Sequence, residues 1–114
     1  MNKNYIFTSD WCIDNKFFWN LHLNEYKDQK NISLLEIGLY EGRSTLWFLT
    51  NIITHKTSTI TGIDIKLSDN FNHNFSIFNA KERINIYKEA SYDFLKRNKD
   101  FFDIIYIDGS HKGK

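Results

Sequence analysis

Acidic and small residues follow short apolar runs at four points of this chain, and their types suit the binding of a polar ligand. Glu36 with Gly38 closes the first run, Asp64 closes the second, residues 89–91 follow the third and Asp108 follows the fourth. In open α/β sheets, ligands bind in the crevice beyond the carboxyl ends of the strands. The four points therefore predict a single binding crevice.

The first of these points is a loop with two of the five glycines of the chain, Gly38 and Gly42. Glycine adopts backbone angles that other residues avoid and lets a ligand approach the main chain, and the N–H groups at Arg43 and Ser44 would begin the next helix. We expect a polar or anionic ligand end at this loop, with an ordinary tight turn as the simpler alternative.

Asp64 is the second-last residue of the second apolar run, STITGIDI, which lies next to the first in the predicted sheet. A carboxylate there can accept two hydrogen bonds from the cis-diol of a ribose, whereas the simpler alternative is a turn or helix-capping carboxylate. Together with the glycine loop, Asp64 indicates a ligand that carries a nucleoside.

Apolar periodicity supplies the elements that position these residues. Four strands are predicted, at residues 32–37, 58–65, 84–87 and 102–108. Helices are predicted at residues 10–26, 43–53 and 91–99, and a further one around Phe71, Phe75 and Phe78. Asp69 would cap this last helix, and Ser44 or Thr45 would cap the helix from residue 43. Strands that alternate with helices predict an α/β fold with a parallel sheet covered on both faces, after one leading helix.

Composition limits the class of protein. The 114 residues suffice for one domain spanning 1–114, and 41% hydrophobic residues provide material for a core. The formal charge is +1, and no basic stripe or polybasic run is present, so we expect neither nucleic acid nor a membrane as partner. Cys12 is the only cysteine, which favours a reducing, cytoplasmic location.

Four segments, EIGLYEGRSTLWFL, GIDI, YKEAS and FDIIYIDGSH, occur in an order and spacing that resemble class I S-adenosylmethionine-dependent methyltransferases. The loop resembles that of the catechol O-methyltransferase-like subgroup, which reads E-[LI]-G-x-[YF]-x-G-x-S, with Tyr40 where the commoner pattern has glycine. The resemblance implies a Rossmann-like fold with strand order 3-2-1-4. It also implies that the domain is truncated after the fourth strand, because the remaining strands are missing.

The resemblance assigns roles to individual residues. Cofactor binding falls to the glycine loop and the next two strand ends, that is, to Glu36, Gly38, Tyr40, Gly42, Ser44, Asp64, Ala90 and Ser91. Asp108 would lie beside the transferred methyl group and would bind a divalent metal such as magnesium in a metal-dependent relative, and His111 is the candidate base. Simpler roles stay open: an ion pair for Glu36, a helix cap for Ser44, a turn for Asp108 and surface exposure for His111.

These features predict an S-adenosyl-L-methionine-dependent methyltransferase that methylates oxygen on a small-molecule, sugar or peptide acceptor. The alternative is an inactive remnant that binds a partner chain or a second copy through its exposed sheet edge. A nicotinamide-dependent oxidoreductase is disfavoured because the loop lacks G-x-G-x-x-G.

Overall fold

The computed structural model describes residues 5–7 and 20–107. In this part of the chain, residues 20–23 are helical and lead into a 3₁₀ turn at Asn24–Tyr26, and a second 3₁₀ turn lies at Lys81–Arg83. Strands and helices then alternate, in the order β1 (Ser33–Ile37), α1 (Arg43–Asn51), β2 (Thr59–Asp64), α2 (Asp69–Ser76), β3 (Ile84–Lys88), α3 (Ser91–Arg97) and β4 (Ile104–Ile107).

The four strands form one parallel sheet in the order β3-β2-β1-β4. At the centre of the sheet, Leu35 of β1 lies opposite Thr61 of β2 and Ile105 of β4. The strand order and the α/β class are those predicted, and they place the carboxyl ends of β1, β2 and β3 side by side.

The main core lies between one face of the sheet and α1. Its buried members come from the strands, from the residue before β1 and from α1 with its C-terminal turn: Ile32, Leu34, Phe48, Leu49, Ile52, Ile53, Ile60, Ile84 and Ile104. Phe75 of α2 packs against the same cluster. The apolar residues of the strands thus pack against α1 and α2 on this face of the sheet.

The opposite face has a smaller core, formed by Leu35, Ile37 and Ile63 of the sheet with Phe94 of α3. Helices therefore lie on both faces, as predicted. The cover does not extend over the edge strand, since Ile105 is 57% exposed and Ile107 is 67% exposed.

Several predicted details differ from the structure. The side chain that caps α2 is that of Ser68, whose hydroxyl accepts a hydrogen bond from the Phe71 N–H at 3.0 Å. Asp69, the predicted cap, is instead the first residue of the helix. A short helix also leaves Phe78 beyond its end, and β4 begins at Ile104 instead of residue 102. Of the predicted leading helix, only the part from residue 20 onward lies within the described residues.

None of the helices found within residues 5–7 and 20–107 has the length and apolar character needed to span a membrane.

Candidate functional site

An open cleft with an empty volume of about 400 Å³ lies at the carboxyl ends of β1, β2 and β3. The described residues that line it are Ile37, Gly38, Ile63, Asp64, Ile65, Glu89 and Ser91. They come from three neighbouring strand ends and from the start of α3, so three of the four predicted strand ends converge, while Asp108, which follows the fourth, lies outside the described residues. The cleft combines an apolar floor with two carboxylates and one hydroxyl.

The loop between β1 and α1 has three residues with positive φ, namely Gly38 at 94°, Tyr40 at 51° and Gly42 at 84°. For the two glycines this conformation carries no Cβ penalty, which explains their presence in so short a segment. Gly42 is also crowded, since a Cβ added there would lie 3.1 Å from Cδ1 of Phe71. Tyr40 adopts the same left-handed region although it is not glycine, so its neighbours must stabilise it.

Asp64 supplies part of that stabilisation. Its Oδ2 accepts hydrogen bonds from the backbone N–H groups of Leu39 at 2.8 Å and Tyr40 at 3.3 Å. Its Oδ1 accepts no hydrogen bond from the residues that the structure describes, and Asp64 lines the cleft. One oxygen therefore holds the loop while the other keeps its capacity to accept hydrogen bonds.

Two further side chains, both from α2 or its cap, hold the loop from the opposite side. The Ser68 hydroxyl donates to the Tyr40 carbonyl at 3.1 Å, and the buried Asn74 amide donates to the Glu41 carbonyl at 2.8 Å. Asn74 also exchanges hydrogen bonds with the backbone of Ile6, at 2.7 and 2.9 Å. The loop is thus fixed by side chains that lie about 30 residues further along the chain.

Glu36 and Ser44, both predicted to contact a cofactor, face each other inside the protein. Glu36 is 0% exposed, and it accepts hydrogen bonds from the hydroxyls of Ser44 and Thr45, each at 2.5 Å. The prediction that Ser44 or Thr45 caps α1 is wrong, because the N-cap residue is Gly42 and no side chain makes a capping hydrogen bond there. The physical reason is that a buried carboxylate requires donors, and these two hydroxyls are in reach.

Glu89 stands at the mouth of the cleft, and Arg97 of α3 binds both of its carboxylate oxygens. The hydrogen bonds from Arg97 lower the pKa of the Glu89 carboxyl below its ordinary value, so Glu89 stays ionised at neutral pH. The Arg97 guanidinium also lies over the rings of Tyr87 and Phe94. These contacts keep the second carboxylate of the cleft in one place.

The remaining predicted site residues divide into two groups. Ala90 forms the N-cap of α3 and Ser91 lines the cleft, so both lie at the third strand end as predicted. Asp108 and His111, the predicted catalytic and metal-binding residues, lie outside the described residues. Within the described part of the chain, no group of three or more His, Cys, Asp or Glu side chains is arranged to hold a metal ion.

Sequence reasoning gave no site role to three side chains that shape this region: Thr45, Asn74 and Arg97. A signal for Thr45 was present, because the buried position of Glu36 in an apolar strand demands donors and a Ser-Thr pair begins the next helix. Asn74 carried no such signal, because the loop carbonyl that it bonds, that of Glu41, is distant in sequence. Arg97 carried none either, because its partner Glu89 was interpreted only as part of a strand end.

With this geometry established, similarity to known proteins identifies the class. The chain belongs to a family of methyltransferase domains, whose sequence model matches residues 35–114. The matched segment begins within β1 and contains the other three strands, the glycine loop and the residues that line the cleft.

A curated protein of Mycoplasma mobile, named as an uncharacterized RNA methyltransferase, is 29% identical over 100 residues. The match covers 87% of this chain but 27% of that protein. The chain therefore spans about a quarter of the length of the curated relative that it matches.

Proposed function

We propose that the cleft at the strand ends binds S-adenosylmethionine and that the domain serves methyl transfer from it to an acceptor. The observation that carries this proposal is the convergence of Gly38, Asp64 and Ser91 on one cleft in a methyltransferase-domain fold. S-adenosylmethionine supplies a methyl group that is already activated by a sulfonium, for in-line displacement by an acceptor. The task of the chain is then to bind and orient.

The residues present fit this cofactor. Asp64 Oδ1 has the capacity to accept hydrogen bonds from ribose hydroxyls while Oδ2 stays on the loop. The exposed Ile65 offers apolar surface for a purine ring beside the buried Ile37 and Ile63, and Gly38 removes a side chain where the ligand would cross the loop.

The charge of the cleft favours the same cofactor over a dinucleotide. Asp64 and Glu89 are the ionisable groups among its described lining residues, and both are acidic. Arg97 compensates the charge of Glu89, so the argument rests on Asp64. Its carboxylate would repel a pyrophosphate placed next to it, whereas it would attract a sulfonium and accept hydrogen bonds from a ribose diol. Arg43, a cation that follows the glycine loop directly, lines a different groove, where its guanidinium lies 4.4 Å from the centre of the Phe7 ring.

The conformation of Tyr40 supports membership of the catechol O-methyltransferase-like subgroup. Its φ of 51° is the left-handed conformation that a glycine would adopt without cost at this position of the commoner loop pattern. Asp64 and Ser68 bond the N–H and C=O of Tyr40, and these bonds compensate for the strain. A tyrosine can therefore replace the glycine here without changing the course of the loop.

Two acceptor classes follow from different observations. The subgroup resemblance favours an oxygen atom of a small molecule, sugar or peptide. The name of the Mycoplasma mobile relative favours RNA, which the charge balance of this chain had argued against. Asp108 and His111 remain the candidates for orienting or deprotonating the acceptor, with a divalent metal as a proposal at Asp108 alone.

The binding step can be tested by recording backbone amide resonances during titration with S-adenosylhomocysteine, and separately with NAD⁺. We expect S-adenosylhomocysteine to shift Gly38, Ile65 and Ser91 but not Thr57, which lies at the opposite end of the sheet. Stronger shifts with NAD⁺, or none with either ligand, would overturn the proposal. Transfer of labelled methyl groups to a panel of phenols, sugars, peptides and RNA then separates the acceptor classes.

A binding module without activity is the second candidate, and the exposed residues of β4 favour it. Ile105 and Ile107 are more than half exposed, and no described strand pairs with the outer edge of β4. Exposed apolar edge strands recruit further strands from other chains. Sedimentation over a range of concentrations would detect such association, and Ile105→Lys should abolish it while S-adenosylhomocysteine binding persists.

A further inference from the structure

We infer that Thr45 is a positioning residue: with Glu36 and Ser44 it forms a buried latch that fixes the glycine loop beside the cleft. This inference rests on the proposed function and deepens it. It adds a role for Thr45 to those that the family resemblance implied for Glu36 and Ser44.

The latch joins the two elements on either side of the loop. Glu36 is the second-last residue of β1, and Ser44 and Thr45 are the second and third residues of α1. Ser44 donates to Oε2 and Thr45 donates to Oε1, each at 2.5 Å. Each carboxylate oxygen therefore holds one hydroxyl of the first helical turn, and the loop at residues 38–42 is closed between these anchor points.

Burial makes these bonds strong and difficult to replace. Glu36 is 0% exposed, and Ser44 and Thr45 are each 2% exposed. Hydrogen bonds from hydroxyls to a carboxylate are short and strong, and a buried carboxylate that loses a donor is left with an uncompensated desolvation cost.

Thr45 separates positioning from contact. It lines a small apolar pocket with Gly42 and Phe71, and it is absent from the lining of the cleft. A substitution at Thr45 can therefore reach a ligand in the cleft only by changing Glu36 and the loop. Asp64, Ser68 and Asn74 hold the middle of the same loop through the backbone of residues 39–41, so loss of the latch would loosen the loop where it enters α1.

The test compares three variants of α1 by calorimetric titration with S-adenosylhomocysteine. Thr45→Val keeps the shape but removes the hydroxyl, and we expect about tenfold weaker binding, the equivalent of one net hydrogen bond. Thr45→Ser keeps the hydroxyl and should bind like the natural chain, although loss of the buried methyl lowers its melting temperature. Thr50→Val is the matched control, because Thr50 is exposed and its hydroxyl donates to the Leu46 carbonyl.

A merely structural role for Thr45 would make affinity follow melting temperature in both variants, and that result would overturn the inference. Hydrogen exchange without ligand gives a second readout: Thr45→Val should speed exchange at the amides of Leu39, Tyr40 and Gly42 and leave that of Ile63 unchanged. Unchanged loop exchange in Thr45→Val overturns the latch even if the natural chain binds the ligand. Absence of binding to the folded natural chain overturns the proposed function and this inference together.

Discussion

Replacement of Gly42 by alanine tests whether the loop has the conformation described. Gly42 has φ 84° and ψ 11°, a left-handed conformation that costs an L-residue about 1–2 kcal/mol. The new Cβ would lie 3.1 and 3.3 Å from two ring atoms of Phe71, whose side chain is 3% exposed and cannot move away freely. Crowding of this kind adds about 1 kcal/mol.

A third effect opposes these two, because alanine restricts the unfolded chain and stabilises the protein by about 0.4–1 kcal/mol. The net loss at Gly42 is therefore about 2 kcal/mol, which lowers the melting temperature of a domain of this size by about 8 °C. Circular dichroism during heating measures this loss. A change of less than about 2 °C would show that Gly42 is not in the left-handed conformation.

Gly42→Asn separates the backbone cost from the crowding. Asparagine also carries a Cβ, so it keeps the close contact with Phe71, but it tolerates positive φ better than alanine does. We expect Gly42→Asn to lose less stability than Gly42→Ala. Equal or greater loss in the asparagine variant would mean that crowding dominates and would contradict the backbone argument.

Three further substitutions have defined outcomes. Gly62→Ala would place a Cβ 2.7 Å from Cδ2 of Leu39, and we expect urea denaturation to show a loss of about 1–3 kcal/mol from overpacking. Asn74→Ala removes the hydrogen bonds that this buried amide makes with the backbone of Ile6 and Glu41, which should cost about 1–3 kcal/mol in the same assay. Arg97→Gln should lower stability at neutral pH. This difference should shrink as the pH falls through the lowered pKa of Glu89, because protonation removes the stabilisation that Arg97 provides.

Matched controls exist for two of these variants. Asn72→Ala removes an exposed amide from the same helix as Asn74, and it should change stability little. Lys96→Gln removes an exposed cation next to Arg97, and no pH-dependent difference of the Arg97 kind should appear. If Asn72→Ala lost as much stability as Asn74→Ala, or Lys96→Gln as much as Arg97→Gln, the contacts assigned to Asn74 and Arg97 would not explain the losses.

The order of elements was predictable because each strand and helix carries its own pattern. Apolar runs that end in glycine or an acid gave β1 and β2, and the spacing of Leu46, Leu49 and Ile53 gave α1. The left-handed conformation of Gly38 and Gly42 also followed from residue type. These properties are local, so sequence alone carries them.

Partners of the polar groups were less predictable, because they depend on which elements meet in space. Ser68 and Asp69 are equally good caps by type, and the structure selects Ser68. Ser44 or Thr45 was interpreted as a cap, but both hydroxyls donate to the buried carboxylate of Glu36. Gly62 had no predicted role, since only packing shows that Leu39 occupies the space of its missing side chain.

Calorimetric titration of S-adenosylhomocysteine into the natural chain and two variants tests the central claim most directly. We expect binding to the natural chain, at least about tenfold weaker binding to Asp64→Asn, and unchanged binding to Asp69→Asn, which removes an exposed carboxylate at the start of α2. A folded natural chain that releases or absorbs no heat at any temperature tested, or an Asp64→Asn variant that binds equally well, would contradict the account.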